Sequence, residues 1–465
     1  MKEKIVLIGA GSAMFTRGLV VDVIRRGQAV KLELVDIDPE ALAVAERLTK
    51  KMVGYKKAPI TVQATTDRRK ALKDATVVIC TIGVGGRRAW EKDVLIPRKY
   101  GIYQPVGDSV MPGGTSRALR MIPAMVAIAR DVQDLAPQAL FFNYGNPMAP
   151  ICRAVRKATG APMIGLCHGV FDTARHLARL LGVAVSRMNY TAVGMNHLTW
   201  FTQIRVDGRD AMPKLDRIAR QCLAKLSQST QLGERFAEAG KAGRDSGGME
   251  HPFAWELFRL FRAFPAVLDR HITEFFPQMF AGRGSYYGKT LGLESYSFEE
   301  TIAYGDQIYE EMRALAFSSK PLGKDYFDKI GGEHEQVVEI IESIRHDAGR
   351  VYSANVPNRG QVSNLPAESI VECPAVADIS GLHPVVQYPL PAGIAGTLAT
   401  RFQWVETVVE AALEGCRDKF IQALVIDGAV QSVSTAARLA DELLSAQARF
   451  LPQFSSVARK RGGGQ

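Results

Sequence analysis

The first 36 residues most strongly constrain the fold of this chain. Residues 5–8 form a continuous apolar run, and the glycine turn of residues 9–12 follows directly. After an amphipathic stretch, a second apolar run at residues 30–35 ends in an acid, Asp36. In this order the glycines let the backbone approach a pyrophosphate, and the helix N-terminus supplies N–H groups and positive dipole. The predicted dinucleotide site consists of Gly9, Gly11, Ser12 and Asp36.

The spacing of the acid favours one dinucleotide over another. Asp36 lies 25 residues after Gly11, close to the distance at which a carboxylate accepts hydrogen bonds from an adenosine ribose. The same carboxylate would repel a 2′-phosphate, so NAD is favoured over NADP. One departure from the pattern is Met14, which occupies the position of the third glycine. Gly83, at the end of a later strand, permits close backbone approach and is predicted to border the cofactor.

Strands and helices continue to alternate as far as about residue 142, which indicates a parallel sheet with right-handed crossovers. The stretch 101–114 is rich in glycine and proline and lacks periodicity, and it predicts a long functional loop. Predicted strands occupy 61–64, 75–80 and 139–142, and predicted helices occupy 39–53 and 115–135. The expected fold is α/β, an N-terminal Rossmann-type parallel sheet followed by a C-terminal α+β domain, as in lactate and malate dehydrogenases.

The second half of the chain has a different pattern. Residues 201–206 alternate as an antiparallel strand does, helical patterns follow, and residues 393–451 read as mostly helical. The stretch 281–289 is glycine-rich and is predicted to be mobile. We predict two domains, residues 1–196 for NAD binding and residues 197–465 for substrate, metal and oligomerisation.

Composition restricts the partners. The chain has 465 residues and a net charge of +10, from 58 basic and 48 acidic side chains, without a concentrated basic and aromatic surface. Nucleic acid is therefore not an expected partner, whereas the excess positive charge favours anionic small molecules. Six scattered cysteines without a paired motif favour free thiols and a cytoplasmic location. No secretory signal or membrane-spanning run is expected.

Polar residues follow three apolar runs in the middle of the chain. Cys167 and His168 come after residues 162–166, and Asn196 and His197 come after residues 189–195. Ligands of open α/β sheets bind at the carboxyl ends of the strands, so these side chains are expected to meet. A thiolate and an imidazole, Cys167 and His197, suit a divalent transition metal and leave positions for substrate oxygens. Asn143 and Asn146 follow a third strand and belong to the same candidate site, and Asn143 is predicted to bind the cofactor.

Six segments together give the chain a resemblance to a known family. They are GAGS, VGDSVMPGG, NYGNPMAP, GLCHGVF, GMNHLTW and NVPNRGQVSNLP, and their order from the first strand to about residue 450 resembles glycoside hydrolase family 4. This family departs from the two-carboxylate chemistry of most glycosidases. The resemblance implies that NAD⁺ removes hydride from sugar C3 and that a metal, usually manganese, stabilises C2 deprotonation. The leaving group is then eliminated, water adds, and the hydride returns.

The resemblance also implies roles for individual residues. Cys167 and His197 correspond to the metal ligands, and His168 corresponds to the acid that protonates the leaving group. Asn146 corresponds to the asparagine that holds sugar hydroxyls, although Pro147 after it also allows a helix cap. The C2 base is expected to be Asp269, with His271 as the alternative. The predicted substrate-binding residues are Asn146, Asn196, Arg270 and His271.

The Cys-His-Gly form resembles the branch that acts on unphosphorylated α-glycosides. An arginine that forms a two-pronged ion pair, either Arg270 or Arg117, favours an α-hexuronide such as an α-galacturonide or α-glucuronide. A neutral α-galactoside or α-glucoside is the alternative. An NAD-dependent sugar or hydroxyacid dehydrogenase and a catalytically inactive sugar sensor are the competing classes. The resemblance implies a homodimer or homotetramer.

Overall fold

A computed structural model describes residues 3–227, 251–267, 269–280, 298–330 and 336–455. The predicted mobile stretch 281–289 lies outside these residues. The strands are β1 Glu3–Ile8, β2 Val30–Val35, β3 Ile60–Thr65, β4 Val77–Cys80, β5 Leu140–Asn143, β6 Ile164–Gly165, β7 Met188–Met195, β8 Leu198–Val206, β9 Arg209–Asp210, β10 Phe264–Ala266, β11 Arg350–Pro357, β12 Ile370–Asp378 and β13 Gly381–Pro384.

Helices account for most of the remaining described residues. They are α1 Thr16–Arg25, α2 Pro39–Lys56, α3 Arg68–Leu72, α4 Gly86–Arg98, α5 Met111–Leu135, α6 Met148–Thr159, α7 Gly169–Leu181, α8 Met212–Ser227, α9 Pro252–Phe261, α10 Asp269–Ile272, α11 Pro277–Phe280, α12 Phe298–Phe317, α13 Tyr326–Ile330, α14 Val337–Arg345, α15 Ala392–Glu414, α16 Arg417–Asp427 and α17 Val433–Ala446. Within this part of the chain, no helix is both long enough and apolar enough to cross a bilayer.

The N-terminal half forms the predicted parallel sheet. Its strand order is β3-β2-β1-β4-β5-β6, and every neighbouring pair is parallel. β1 and β4 in its centre are almost wholly buried, because helices cover both faces, and this explains their continuous apolar runs. The Rossmann-type prediction is confirmed, and it places the ends of β1, β4 and β5 side by side.

The sheet continues into the second half of the chain with antiparallel strands. Beyond β6 the order is β11-β12-β7-β8-β10, and single residue pairs join β6 to β11 and β12 to β7. β7 and β8 form a hairpin whose two-residue turn is Asn196-His197, so the predicted boundary after residue 196 falls inside this turn. Domain boundaries usually lie in exposed linkers that few contacts cross, and a hairpin turn within a sheet is not such a linker. The division into two domains therefore stays a prediction.

The glycine-rich stretch 101–114 is not a loop throughout, since α5 begins at Met111. Pro112 is suited to a first helical turn, where its missing N–H group is not needed. The two glycines that follow have a packing role: a Cβ on Gly113 would lie 2.7 Å from the carbonyl oxygen of Gly107, and one on Gly114 would lie 2.4 Å from the carbonyl carbon of Ser109. The helix therefore folds back against the backbone of the preceding loop.

Candidate active site

A cavity of about 660 Å³ opens where β5 and β6 end and the β7–β8 turn begins. It is large enough for a sugar and part of a cofactor. Six of the fourteen predicted site residues contribute to its wall. Those that line it are Asn146, Cys167, His168, His197, Arg270 and His271, together with Asp108, Trp90, Glu300 and Tyr304, which were not predicted.

Cys167 and His197 meet in this cavity although thirty residues separate them. The sulfur of Cys167 lies 3.6 Å from Nε2 of His197. Cys167 directly precedes α7, and the N–H group of Gly169 donates to its sulfur at 3.4 Å, which favours negative charge there. His197 is the second residue of the hairpin turn and has a left-handed backbone conformation, with φ +67°. The tight turn therefore fixes the direction in which its ring projects. Two soft ligand atoms at this separation suit one transition-metal ion.

His271 and Asp108 extend this cluster. Asp108, His197 and His271 each have one possible metal-ligand atom, and these three atoms all lie within 4.8 Å of one another. The rings of His197 and His271 are 4.0 Å apart between centroids, and Nδ1 of His271 is buried without a hydrogen-bond partner among the described residues. Burial lowers the pKa of His197 to about 4 and the pKa of His271 well below its usual value. Both rings are therefore neutral near pH 7 and present lone pairs.

His168 stands at the start of α7 as its N-cap residue and lines the cavity with an exposed side chain. Its Nε2 lies 3.7 Å from a carboxylate oxygen of Asp172, one helical turn later. A histidine that combines solvent access with a nearby carboxylate is suited to exchange protons. Arg270 lines the same cavity from α10.

Asp269 has a different environment from the one that its predicted role as a base requires. Its carboxylate is fully buried and accepts hydrogen bonds from the N–H groups of Phe253 at 3.0 Å and Ala254 at 2.8 Å. These amides belong to the first turn of α9, where N–H groups have no partner within the helix. Asp269 does not line the cavity. The geometry therefore gives Asp269 the task of holding the start of α9 and does not support it as a base.

The glycine turn has the shape expected of a dinucleotide site. Gly9 has φ +94°, and a Cβ there would lie 2.8 Å from the backbone of Thr81 and Ile82. The N–H group of Gly11 donates to the Asp36 carboxylate at 2.8 Å. Ser12 faces the next turn, with its Oγ accepting from the N–H of Phe15 at 3.3 Å. A Cβ on Gly83 would make an ordinary van der Waals contact, with a guanidinium nitrogen of Arg117 as its nearest neighbour at 3.7 Å.

The three asparagines have distinct environments. Asn143 is fully buried and bonds to the backbone of Gly145 through both its amide oxygen and its amide nitrogen, so its geometry fits a role in shaping the turn. Asn146 does not cap α6 but donates from Nδ2 to Asp108 at 3.0 Å. Asn196 is buried in the hairpin turn beside Glu372.

With this geometry established, comparison with known proteins decides the family. Family models described as "Family 4 glycosyl hydrolase" and "Family 4 glycosyl hydrolase C-terminal domain" match residues 4–183 and 192–430. The chain belongs to glycosyl hydrolase family 4. The prediction made from the six segments is confirmed, and with it the prediction of a glycoside hydrolase.

Individual relatives within family 4 have different names. An α-glucosidase of Erwinia rhapontici is 33% identical over 97% of this chain and 99% of its own length. An α-galacturonidase of Bacillus subtilis is also 33% identical, over 92% of this chain and 93% of its own length. A 6-phospho-β-glucosidase of Thermotoga maritima, solved with manganese, NAD⁺ and glucose-6-phosphate, superposes with a TM-score of 0.76. It is 20% identical and covers 96% of this chain and 99% of its own, so it shows the fold alone.

Besides Trp90, Glu300 and Tyr304, sequence reasoning missed three polar residues around this family 4 site. Asp108 and Ser109 lie in the segment VGDSVMPGG, which supported the resemblance, but neither side chain was assigned a role from the sequence. Glu372 is buried behind the β7–β8 turn, where its carboxylate accepts hydrogen bonds from Thr199 and Asn355. Burial raises the pKa of Glu372 to about 7. An acid inside the otherwise apolar run of β12 was the available signal.

Proposed function

We propose that this protein hydrolyses unphosphorylated α-glycosides with the help of NAD⁺ and a divalent metal, most suitably Mn²⁺, and that its substrate is an α-hexuronide. The observation that carries the proposal is the meeting of the Cys167 sulfur and Nε2 of His197, 3.6 Å apart, in the cavity that Asn146 and Arg270 also line. Membership of family 4 supports the same chemistry. The two protein ligands leave coordination positions for sugar oxygens.

The residues fit both groups. The Cys167 sulfur and the His197 imidazole nitrogen suit a divalent transition metal. A side chain at Gly9 would collide with the backbone of Thr81 and Ile82 just after β4, so only glycine permits the tight turn that a dinucleotide site of this kind requires. When bound, the nicotinamide and the cation supply reversible hydride acceptance and Lewis acidity at the sugar ring.

The protein's own side chains then handle the protons. His168, exposed at the cavity wall, donates a proton to the departing glycosidic oxygen and recovers it through solvent. Nδ1 of His271 accepts the proton from sugar C2, since it is neutral, buried and without a partner among the described residues. This assignment replaces Asp269, whose two carboxylate oxygens hold backbone amides. Asn146 and Asn196 are proposed to bind sugar hydroxyls.

Arg270 carries the preference for a hexuronide. A guanidinium can hold a sugar carboxylate by two parallel hydrogen bonds, which a neutral hydroxymethyl group cannot accept in the same way. The α-galacturonidase relative supports this assignment, and the equally similar α-glucosidase keeps a neutral α-glucoside or α-galactoside as the second candidate. We also propose a cytoplasmic location, since all six cysteines are free thiols, and the homo-oligomer that the family resemblance implies.

The test is a panel of p-nitrophenyl α-hexosides and α-hexuronides, assayed with NAD⁺, Mn²⁺ and a thiol reductant. We expect chelator-sensitive cleavage of an α-hexuronide with no net NADH. Accumulation of NADH in proportion to product would show a dehydrogenase instead, and failure of all substrates to react under full loading would contradict the enzymatic function.

A single variant separates the two substrate classes. Arg270→Gln should lower kcat/KM for the hexuronide by roughly 100-fold, as expected for loss of a charged hydrogen bond, while activity on neutral glycosides changes little. Arg262→Gln is the control, because Arg262 is exposed and pairs with Asp216 outside the cavity. Faster cleavage of a neutral glycoside than of any hexuronide by the unmodified protein would establish the second candidate.

A further inference from the structure

We propose that Asp108 and Ser109 are positioning residues that fix the tautomer of His197 and the orientation of the Asn146 amide. The proposal rests on the proposed function, in which His197 binds metal and Asn146 binds sugar. One carboxylate thereby governs both a metal ligand and a substrate ligand. Both effects follow from which atoms can donate a proton and which can only accept one.

The hydroxyl of Ser109 connects His197 to Asp108. Ser109 Oγ lies 2.7 Å from Oδ1 of Asp108 and 2.7 Å from Nδ1 of His197. A hydroxyl has a single proton, and a carboxylate can only accept one, so Ser109 donates to Asp108. Towards His197 it must therefore accept, which requires the proton of the neutral ring to reside on Nδ1. Nε2, which faces the Cys167 sulfur, is left with its lone pair.

The second oxygen of the same carboxylate orients Asn146. Oδ2 of Asp108 lies 3.0 Å from Nδ2 of Asn146. Because the carboxylate cannot donate, the amide must present its NH₂ group to Asp108, and its carbonyl oxygen remains as an acceptor. The backbone carbonyl of Asn146 accepts from Nε of Arg117 at 3.0 Å, which holds the residue from its other side. Asn146 therefore accepts a hydrogen bond from a sugar hydroxyl.

The backbone around this pair is anchored on both sides. Before it, the N–H groups of Val106 and Gly107 donate to Oε1 of Glu274 at 2.8 and 2.7 Å. After it, the N–H group of Met111 donates to Asp427 at 2.9 Å. Glu274 and Asp427 are themselves buried. Asp108 and Ser109 are thus held on a short segment whose position is set by two acids from distant parts of the chain. Residues that orient a metal ligand must themselves be held in place in this way.

The first test requires no metal and no substrate. The full chain, labelled with ¹⁵N-histidine and stripped of metal, is studied by two-bond ¹H–¹⁵N correlation at pH 7.5, with His197→Gln assigning the signal among the eight histidines. We expect a protonated Nδ1 and an unprotonated Nε2 for His197. Ser109→Ala should shift the ring towards the Nε2–H tautomer, whereas Ser109→Thr, which keeps the hydroxyl, should retain the original form. An Nε2–H ring or an imidazolium in the unmodified protein would overturn the proposal.

The second test measures the binding consequences. Removal of a group that orients a metal ligand commonly costs about 10–100-fold in metal affinity, so Ser109→Ala should raise the Mn²⁺ dissociation constant by this factor in calorimetry. In Asp108→Asn, when the remaining carbonyl oxygen accepts from Ser109, the new NH₂ group faces that of Asn146 and should turn the Asn146 amide, which raises KM roughly tenfold with a smaller change in kcat.

Ser343→Ala is the matched control. Ser343 is also buried, and its hydroxyl donates to the carbonyl oxygen of Ala377 between α14 and β12. It should lose stability to a similar degree and keep its Mn²⁺ affinity. Equal Mn²⁺ affinity in Ser109→Ala and the unmodified protein would contradict the proposed positioning of His197 by Ser109 and Asp108. Absence of Mn²⁺ binding by the unmodified protein would instead contradict the proposed function. The tautomer experiment would still decide whether Ser109 and Asp108 position His197.

Discussion

Gly169 lies against Val267 with no space for even a methyl group between them: a Cβ on Gly169 would be 2.4 Å from Cγ1 of Val267. Gly169 is the first residue of α7, and its N–H group donates to the Cys167 sulfur. This close packing sets the position at which the helix begins. It therefore also sets the position of Cys167 and His168, which directly precede the helix.

Gly169→Ala should disturb the metal pair without touching either ligand. The added methyl group must displace Val267 or the start of α7, and overpacking of this kind costs about 1–3 kcal/mol. We expect lower unfolding stability and at least tenfold weaker Mn²⁺ binding by calorimetry. Gly54→Ala is the matched control, since Gly54 lies within α2 with no neighbour within 4 Å and should gain up to ~1 kcal/mol from helix propensity. Unaltered Mn²⁺ binding in Gly169→Ala would argue against this dependence.

Cys167→Ser should abolish Mn²⁺-dependent turnover, because a serine hydroxyl stays protonated near neutral pH and lacks the negative charge with which a thiolate binds the ion. The measurement is turnover against Mn²⁺ concentration, together with the Mn²⁺ dissociation constant. Cys416→Ser serves as control: Cys416 is the N-cap residue of α16, where serine is favoured, so stability should not fall. Full activity of Cys167→Ser would remove the metal assignment.

Asp269→Asn and His271→Gln should separate structure from chemistry. Asp269→Asn leaves one of two amides at the start of α9 without a carboxylate oxygen, so the free energy of unfolding should fall by about 1–3 kcal/mol. His271→Gln should lower kcat by at least 100-fold with little change in unfolding by denaturant. If Asp269→Asn kept its stability and lost all turnover, Asp269 would be the base and our reassignment would be wrong.

Asp36→Ala should reduce the preference for NAD⁺ over NADP⁺. The carboxylate would no longer repel a 2′-phosphate, and it would no longer accept from the N–H group of Gly11. We expect NAD⁺ to bind roughly tenfold more weakly while NADP⁺ binds equally or better, as measured by calorimetry. Asp38→Ala is the control, since Asp38 caps α2 by accepting from Glu40 and Ala41. It should lower stability by ~1 kcal/mol and leave the cofactor preference intact.

Glu372 should make stability depend on pH. Burial raises its pKa from 4.5 to about 7, so the folded protein holds this proton more tightly than the unfolded chain does. The resulting stability is fully present below about pH 4.5 and is lost as pH rises through about 7, and a shift of this size corresponds to ~3 kcal/mol. Unfolding of the unmodified protein and Glu372→Gln, compared at pH 5 and pH 8.5, should show Glu372→Gln gaining relative stability at the higher pH. Parallel pH profiles would contradict this.

The sequence by itself determined the parts of the molecule that depend on neighbouring residues. The continuous apolar runs, the glycine turn and the strand-end positions of Cys167 and His197 follow from local periodicity. The rule that parallel strands end at one edge places Cys167 after β6, whereas His197 follows β7 in the antiparallel part of the sheet. The tertiary structure alone decided which polar group faces which. Asp269 caps a helix that begins seventeen residues earlier, and Ser109 meets His197 across 88 residues. A carboxylate that holds backbone amides and one that abstracts a proton have the same side chain, and only packing between distant segments distinguishes them.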